Sequence, residues 1–147
     1  MSLRLLIPLS LVVFALAGCG EAAPTVGEAK EFAAACEKTN DGQRVAVDGY
    51  LRLPDSFTGD ESVVLRLYET DDFAGTPIGV QIKFGTQANQ VELVPDEYRD
   101  SDLKVHLADG QVAEFGTRVK VSGKVYFPLV DQDFECGLEN PLVELAQ

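Results

Sequence analysis

The chain has 147 residues, a formal net charge of −12, 46% hydrophobic residues and no tryptophan. That length suits one domain with a modest core, and the acidity argues against nucleic-acid binding, whose affinity comes largely from cations meeting phosphates. The predicted elements begin with a leader. Arg4 is a short positive start, residues 5–14 are apolar apart from Pro8 and Ser10, and Leu16-Ala17-Gly18 precede Cys19. The apolar run is too short for a bilayer span, which needs roughly 20 residues.

An aliphatic residue, two small residues and a cysteine after such a run resemble the bacterial lipobox. The resemblance implies a signal peptide over residues 1–18, cleavage before Cys19 and a diacylglyceryl group on its thiol. Two or three acyl chains hold a protein firmly at a membrane, where one binds only marginally. The expected location is the cell membrane or outer membrane, lipid-anchored and facing the periplasm or exterior. Removal of Arg4, the leader's one charge, makes the remainder more acidic still.

Residues 19–26 read as a lipidated linker and residues 27–147 as the domain. Thr25-x-x-Glu28 has the form of a capping box. Ala29, Phe32, Ala33 and Cys36 then fall on one helical face, and Asn40-Asp41-Gly42 supply a stop. This spacing predicts a helix over residues 27–38. Period-two alternation follows. Val45, Val47, Leu51 and Leu53 mark a first strand; Val63, Leu65 and Leu67 a second; Ile78, Val80, Ile82 and Phe84 a third. Leu103, Val105 and Leu107 mark a fourth, and Val119, Val121, Val125 and Phe127 a fifth. Leu142, Val143 and Leu145 suggest a last short strand. Between the third and fourth, residues 91–94 admit a short strand and residues 96–102 an acidic loop or helical turn.

Residues 42–54 (GQRVAVDGYLRLP) align without gaps on residues 116–128 (GTRVKVSGKVYFP). A mid-strand glycine usually marks a bulge or bend, and two long strands bent this way suit a small barrel. The V-x-V-x-G-x-L and V-x-V-x-G-x-V strands, with Leu103-Lys-Val-His-Leu-Ala-Asp-Gly110 between them, resemble the OB-fold lipoproteins of bacteria, related in shape to tRNA-anticodon-binding OB domains. The resemblance covers residues 43–127. It implies an all-β, five-stranded OB-fold-like barrel preceded by the predicted N-terminal helix, and it says little of function, because the fold hosts many activities.

With Cys19 lipidated, Cys36 and Cys136 remain as an even pair in an oxidising compartment, where a structural disulfide is expected. Two free buried thiols or a reactive pair are the competing readings. The single histidine, His106, falls on the polar side of its strand. No G-x-S-x-G, H-E-x-x-H or glycine-rich phosphate loop is present, so no enzyme activity and no cofactor are expected. Asp131-x-Asp133-x-Glu135 and Asp71-Asp72 offer oxygen ligands but do not match a calcium loop and read as solvated acids, with no metal site expected.

Charge is segregated, with acids in predicted turns and many bases at outward strand positions. The outer face of strands two and three, which commonly binds ligands in this fold, would show Tyr50, Arg52, Arg66, Tyr68, Gln81 and Lys83. Tyrosines beside cations suit a small anionic ligand or an acidic protein segment; cross-strand pairing with Asp48 or Glu69 is the plainer reading. The expectation is a non-enzymatic envelope binding module for a protein or small anionic ligand. The alternative is a structural or stress-related envelope lipoprotein without a discrete ligand.

Overall fold

The computed structural model describes Gly18 and residues 20–147. Residues 1–17 and Cys19, which carry the expected leader and lipid site, lie outside the described residues. The strands in chain order are β1 (Glu28–Ala29), β2 (Arg44–Arg52), β3 (Ser62–Tyr68), β4 (Ile78–Phe84), β5 (Gln90–Val91), β6 (Lys104–His106), β7 (Val112–Glu114), β8 (Arg118–Tyr126) and β9 (Gly137–Leu145).

β2 pairs antiparallel with β3 and with β8, and β3 pairs antiparallel with β4. β9 runs antiparallel to β8 and parallel to β4. The ring β2-β3-β4-β9-β8 therefore closes into a small five-stranded barrel of OB-like form. Alternation places the core as the apolar pattern requires: Val45, Val47 and Leu51 from β2, Leu65 and Leu67 from β3, Val80 and Ile82 from β4, and Val119, Val121 and Val125 from β8 are all at most 4% exposed. Each aliphatic side chain buried this way contributes on the order of 1.5–3 kcal/mol.

The two mid-strand glycines of the repeated segment mark bends. A Cβ on Gly49 would strike the Tyr68 carbonyl and the Leu67 side chain, at the point where β2 leaves β8 to pair with β3. A Cβ on Gly123 would lie 2.7 Å from Leu138 Cβ, within the register shift between Ser122 and Lys124 in the β8–β9 ladder.

Two expectations are corrected. The predicted N-terminal helix over residues 27–38 does not form. Gly27 packs directly on the Val45 backbone, β1 adds in parallel to β2, and the Lys30 amide donates to the Ala46 carbonyl at 3.0 Å. The backbone groups that a first helical turn would use are thus taken by the sheet. Two three-residue 3-10 turns follow, Phe32–Ala34 and Lys38–Asn40. Asn40 Nδ2 donates to the Ala34 and Ala35 carbonyls at 2.9 and 3.2 Å, ending the first turn.

The second correction concerns the barrel's membership. The predicted fourth strand exists as β6, but it pairs with β5 and β7 in a flap hung on β4 rather than in the ring. The flap still buries Leu103, Val105 and Leu107 in the common core. The fifth barrel strand is β9, of which only the end had a strand-like pattern. Its first half, Gly137-Leu-Glu-Asn-Pro141, carries no clean alternation; in the structure Asn140 has φ +49° and Pro141 has no amide to donate. A register break there accommodates both.

Cys36 and Cys136 form a disulfide, with Cα atoms 5.4 Å apart, joining the N-terminal turns to the start of β9 across a sequence separation of 100.

Candidate functional site

Strand register puts four of the six expected face residues side by side. Tyr50 lies opposite Tyr68, and Arg52 opposite Arg66. Gln81 and Lys83 continue the same outer surface along β4, opposite Val64 and Ser62. The β8–β9 loop divides this surface. Phe134 lies on Gly79, where even a Cβ would come within 2.8 Å of its ring, and Arg66 covers Phe134 at 4.9 Å. Glycine at position 79 is what lets the ring lie on the strand.

Each cation of the face holds a carboxylate. Arg66 binds Asp133 as a fork, with Nε to Oδ2 at 2.8 Å and Nη2 to Oδ1 at 2.6 Å. That contact holds the Asp133 carboxyl below the usual carboxylate range, against a smaller opposing effect of burial. Arg52 Nε donates to Asp100 at 3.0 Å, which raises the Arg52 pKa above its ordinary value. Lys83 reaches Glu21 at 2.6 Å. Asp48, one of the plainer partners expected, pairs with Arg118 at 3.2 Å instead. An incoming small anion would have to displace these acids.

Beyond the tyrosines lies an aromatic set that alternation does not reveal. Phe73 packs edge-on to Tyr68 at 5.5 Å and stacks on Phe115 at 5.1 Å, with Arg52 over its ring at 5.5 Å. All four side chains are half-buried. Phe73 has φ +55°, uncommon for a bulky residue. A turn holds it there: its amide donates to the Thr70 carbonyl, and Asp72 Oδ1 accepts from Thr70 Oγ1 and from the Ala74 amide. The same bonds hold the exposed Asp72 carboxyl below its usual range. The clue in sequence was a single phenylalanine inside an otherwise polar loop.

The surface has a second feature at its other end. β4 and β9 pair only at Gly79–Gly137 and Val80–Leu138, then separate. A cleft of about 550 Å³ opens there, lined by Gln81 and Lys83 from β4, Asn140 and Pro141 from β9, Asn89 and Gln90 from the approach to β5, and Glu21, Ala22 and Pro24 from the N-terminal segment. Gln81 and Lys83 therefore belong to this cleft more than to the tyrosine pair. Asn89 Oδ1 accepts from the Val143 amide at 2.8 Å and ties the flap to β9.

His106 is not a solvated strand residue. Its side chain is 15% exposed, with Nε2 buried 3.6 Å from Glu92 and without a hydrogen-bond partner among the described residues. Of the acids weighed as metal ligands, Asp133 is engaged by Arg66 and Asp72 by its own turn.

Compared with known proteins, the chain matches no family profile, no curated protein sequence and no solved structure.

Proposed function

We propose that the chain is a membrane-anchored cell-envelope lipoprotein whose OB-like barrel is a non-enzymatic binding module, a lipoprotein of the kind its strand motifs resemble. The carrying observation is the aromatic set of Tyr68, Phe73 and Phe115 beside Arg52, held in place by a left-handed phenylalanine. Backbone strain of this sort costs on the order of 1–3 kcal/mol and persists where the surroundings enforce it, often at binding sites. The set borders the strand surface that OB folds commonly use for ligands. The Cys36–Cys136 bridge supports an oxidising compartment, and so supports export through the leader and lipidation of Cys19.

Of the two partner classes, a protein segment fits better than a small anion. Aromatic and arginine side chains are what buried protein contacts favour, whereas the cations of the face already hold Asp100, Asp133 and Glu21. The same ion pairs also favour the second reading, a structural envelope lipoprotein with no discrete ligand. The two separate by experiment. The natural protein should carry acyl mass on Cys19. Its capture of one envelope protein should saturate and be lost when Tyr68 and Phe73 are both replaced by alanine. Saturable capture that survives that double change places the partner elsewhere, and no saturable capture leaves the structural reading.

A further inference from the structure

We propose that residues 20–30 are a rigid strap that seats the β4–β9 end of the barrel on the lipid headgroups and turns the aromatic set away from the bilayer. The inference rests on the lipid-anchor reading of Cys19 and goes beyond it by naming the face that meets the membrane.

The linker expected over residues 19–26 is bonded at several points along its described residues. The Glu21 carboxylate takes Lys83 at 2.6 Å. The Ala22 carbonyl accepts from Asn140 Nδ2 at 3.0 Å. The Thr25 carbonyl accepts from Arg44 through Nη2 at 2.7 Å and Nε at 3.0 Å. β1 then joins the sheet. The first backbone bond to the barrel is at Ala22, and the three residues back to Cys19 span at most about 10 Å when fully extended. A lipid on that thiol therefore holds the cleft between β4 and β9 within that distance of the headgroups.

Register fixes what points the other way. Ser62 is opposite Lys83 at the strapped end of β3, and Tyr68 lies at the opposite end of the strand, about 20 Å away by strand rise. The β8–β9 loop leaves the barrel at the pair Tyr126–Gly137, next to Gly79 and on the Tyr68 side. Its tip carries Leu129 and Val130, the first fully exposed and the second 68% exposed. Apolar side chains so presented would otherwise suggest membrane insertion; the tether point at Lys83 and Glu21 lies four residues of β4 from that pair, about 13 Å by strand rise, and the loop precedes β9 on the side away from it. The chain's acidity gives it no attraction of its own for an anionic bilayer, so the tether sets the orientation.

The chain has no tryptophan, so single tryptophans report cleanly. Ala88→Trp places one at the exposed rim of the cleft and Leu129→Trp one at the loop tip. Each lipidated protein is reconstituted in vesicles of phosphatidylethanolamine and phosphatidylglycerol carrying dansyl-labelled headgroups. Energy transfer should be several-fold more efficient from Ala88→Trp than from Leu129→Trp. A flexible Gly-Ser insertion between Gly20 and Glu21 leaves every strap contact intact and lengthens the free tether; it should abolish the difference. Equal transfer from the two positions without the insertion, or stronger transfer from Leu129→Trp, overturns the strap. Protein without acyl mass that fails to float with vesicles overturns the anchor reading itself, and the two failures are told apart by flotation.

Discussion

Reduction of the Cys36–Cys136 bridge tests how the N-terminal segment is held to the barrel. The bridge closes a loop of about 100 residues. In the chain-entropy model, opening such a loop costs about 4.7 kcal/mol at 25 °C. For a domain of this size each kcal/mol shifts the melting temperature by roughly 3–4 °C, so the expected fall is on the order of 15 °C. Reduction is a better perturbation than alanine replacement, because both sulfur atoms stay and no cavity opens beside the fully buried Cys136. The loss should not be uniform. Before β2 the chain is held by β1, two 3-10 turns, the bonds from Asn40 and the Lys38 ammonium 3.5 Å from the Phe127 ring centroid. Residues 31–40 should therefore fray first. The assay is thermal unfolding of the leaderless domain with and without reductant, followed by circular dichroism, with amide exchange resolving residues 31–40 from β2 and β8. A fall of less than about 4 °C, roughly 1 kcal/mol, with unchanged exchange in residues 31–40, would refute the reasoning. The weak contacts would then be holding the segment unaided.

Two further outcomes follow from single side chains. Arg44 spans three backbone carbonyls, those of Thr25, Asn140 (3.1 Å from both Nη atoms) and Ser122 (3.4 Å), and burial holds its pKa below the ordinary arginine value. Arg44→Met should lower stability by about 2–3 kcal/mol in urea unfolding and speed exchange at the Lys30 amide. Arg44→Lys should recover less than half of that, since one ammonium cannot reproduce the fork. Asp133→Asn should lower stability at neutral pH by less than about 1 kcal/mol, because the Asp133 side chain is 60% exposed and the pair is screened. The folded Asp133 carboxyl titrates below its unfolded value, first through its bond to Arg66. Its contribution is therefore complete above about pH 4 and is lost as the pH falls through the folded value. Unfolding curves of wild type and variant should converge in acid; a gap that persists there would show that the carboxylate charge is not its source.

Most of the barrel was legible because its strands carry a buried face. Alternation identified β2, β3, β4 and β8 by the side chains that are in fact interior, and it identified β6 as a strand. It could not say whether β6 joined the ring, since a flap strand packing Leu103, Val105 and Leu107 on the core has the same period as a barrel strand. β9 was hidden by Asn140 and Pro141, which serve a bulge there but read locally as a turn. The helix was misread for a related reason. The Thr25-x-x-Glu28 signal and the apolar spacing are local, while Gly27 on Val45 and the Lys30–Ala46 bond depend on β2, distant in sequence, and long-range pairing outweighed propensity. The candidate face's strand positions were legible, although the β8–β9 loop divides it and leaves Gln81 and Lys83 to the cleft. The acidic partners of the face were not, because Asp100, Asp133 and Glu21 come from loops and the N-terminal segment, whose positions no periodicity encodes.

The repeated segment shows why surfaces escape such a reading while architecture does not. Gly49 and Gly123 occupy equivalent places in the two copies, and in the β2–β8 ladder each lies opposite the first valine of the other copy, Gly49 with Val119 and Val45 with Gly123. The pairing is a local two-fold arrangement in which each glycine lets its strand bend toward a different neighbour, β3 for one and β9 for the other. The apolar positions answer to that shared geometry and are alike. The outward residues answer to nothing in common. After Gly49 come Tyr50 and Arg52, facing the aromatic set; after Gly123 come Lys124, paired with Glu139 at 3.5 Å on the rim of the cleft, and Tyr126, whose hydroxyl pKa burial raises. One backbone device used twice thus yields two unlike surfaces. The shared glycine geometry constrains only the buried face of each copy, so alternation recovers the strands and leaves their outer surfaces undetermined.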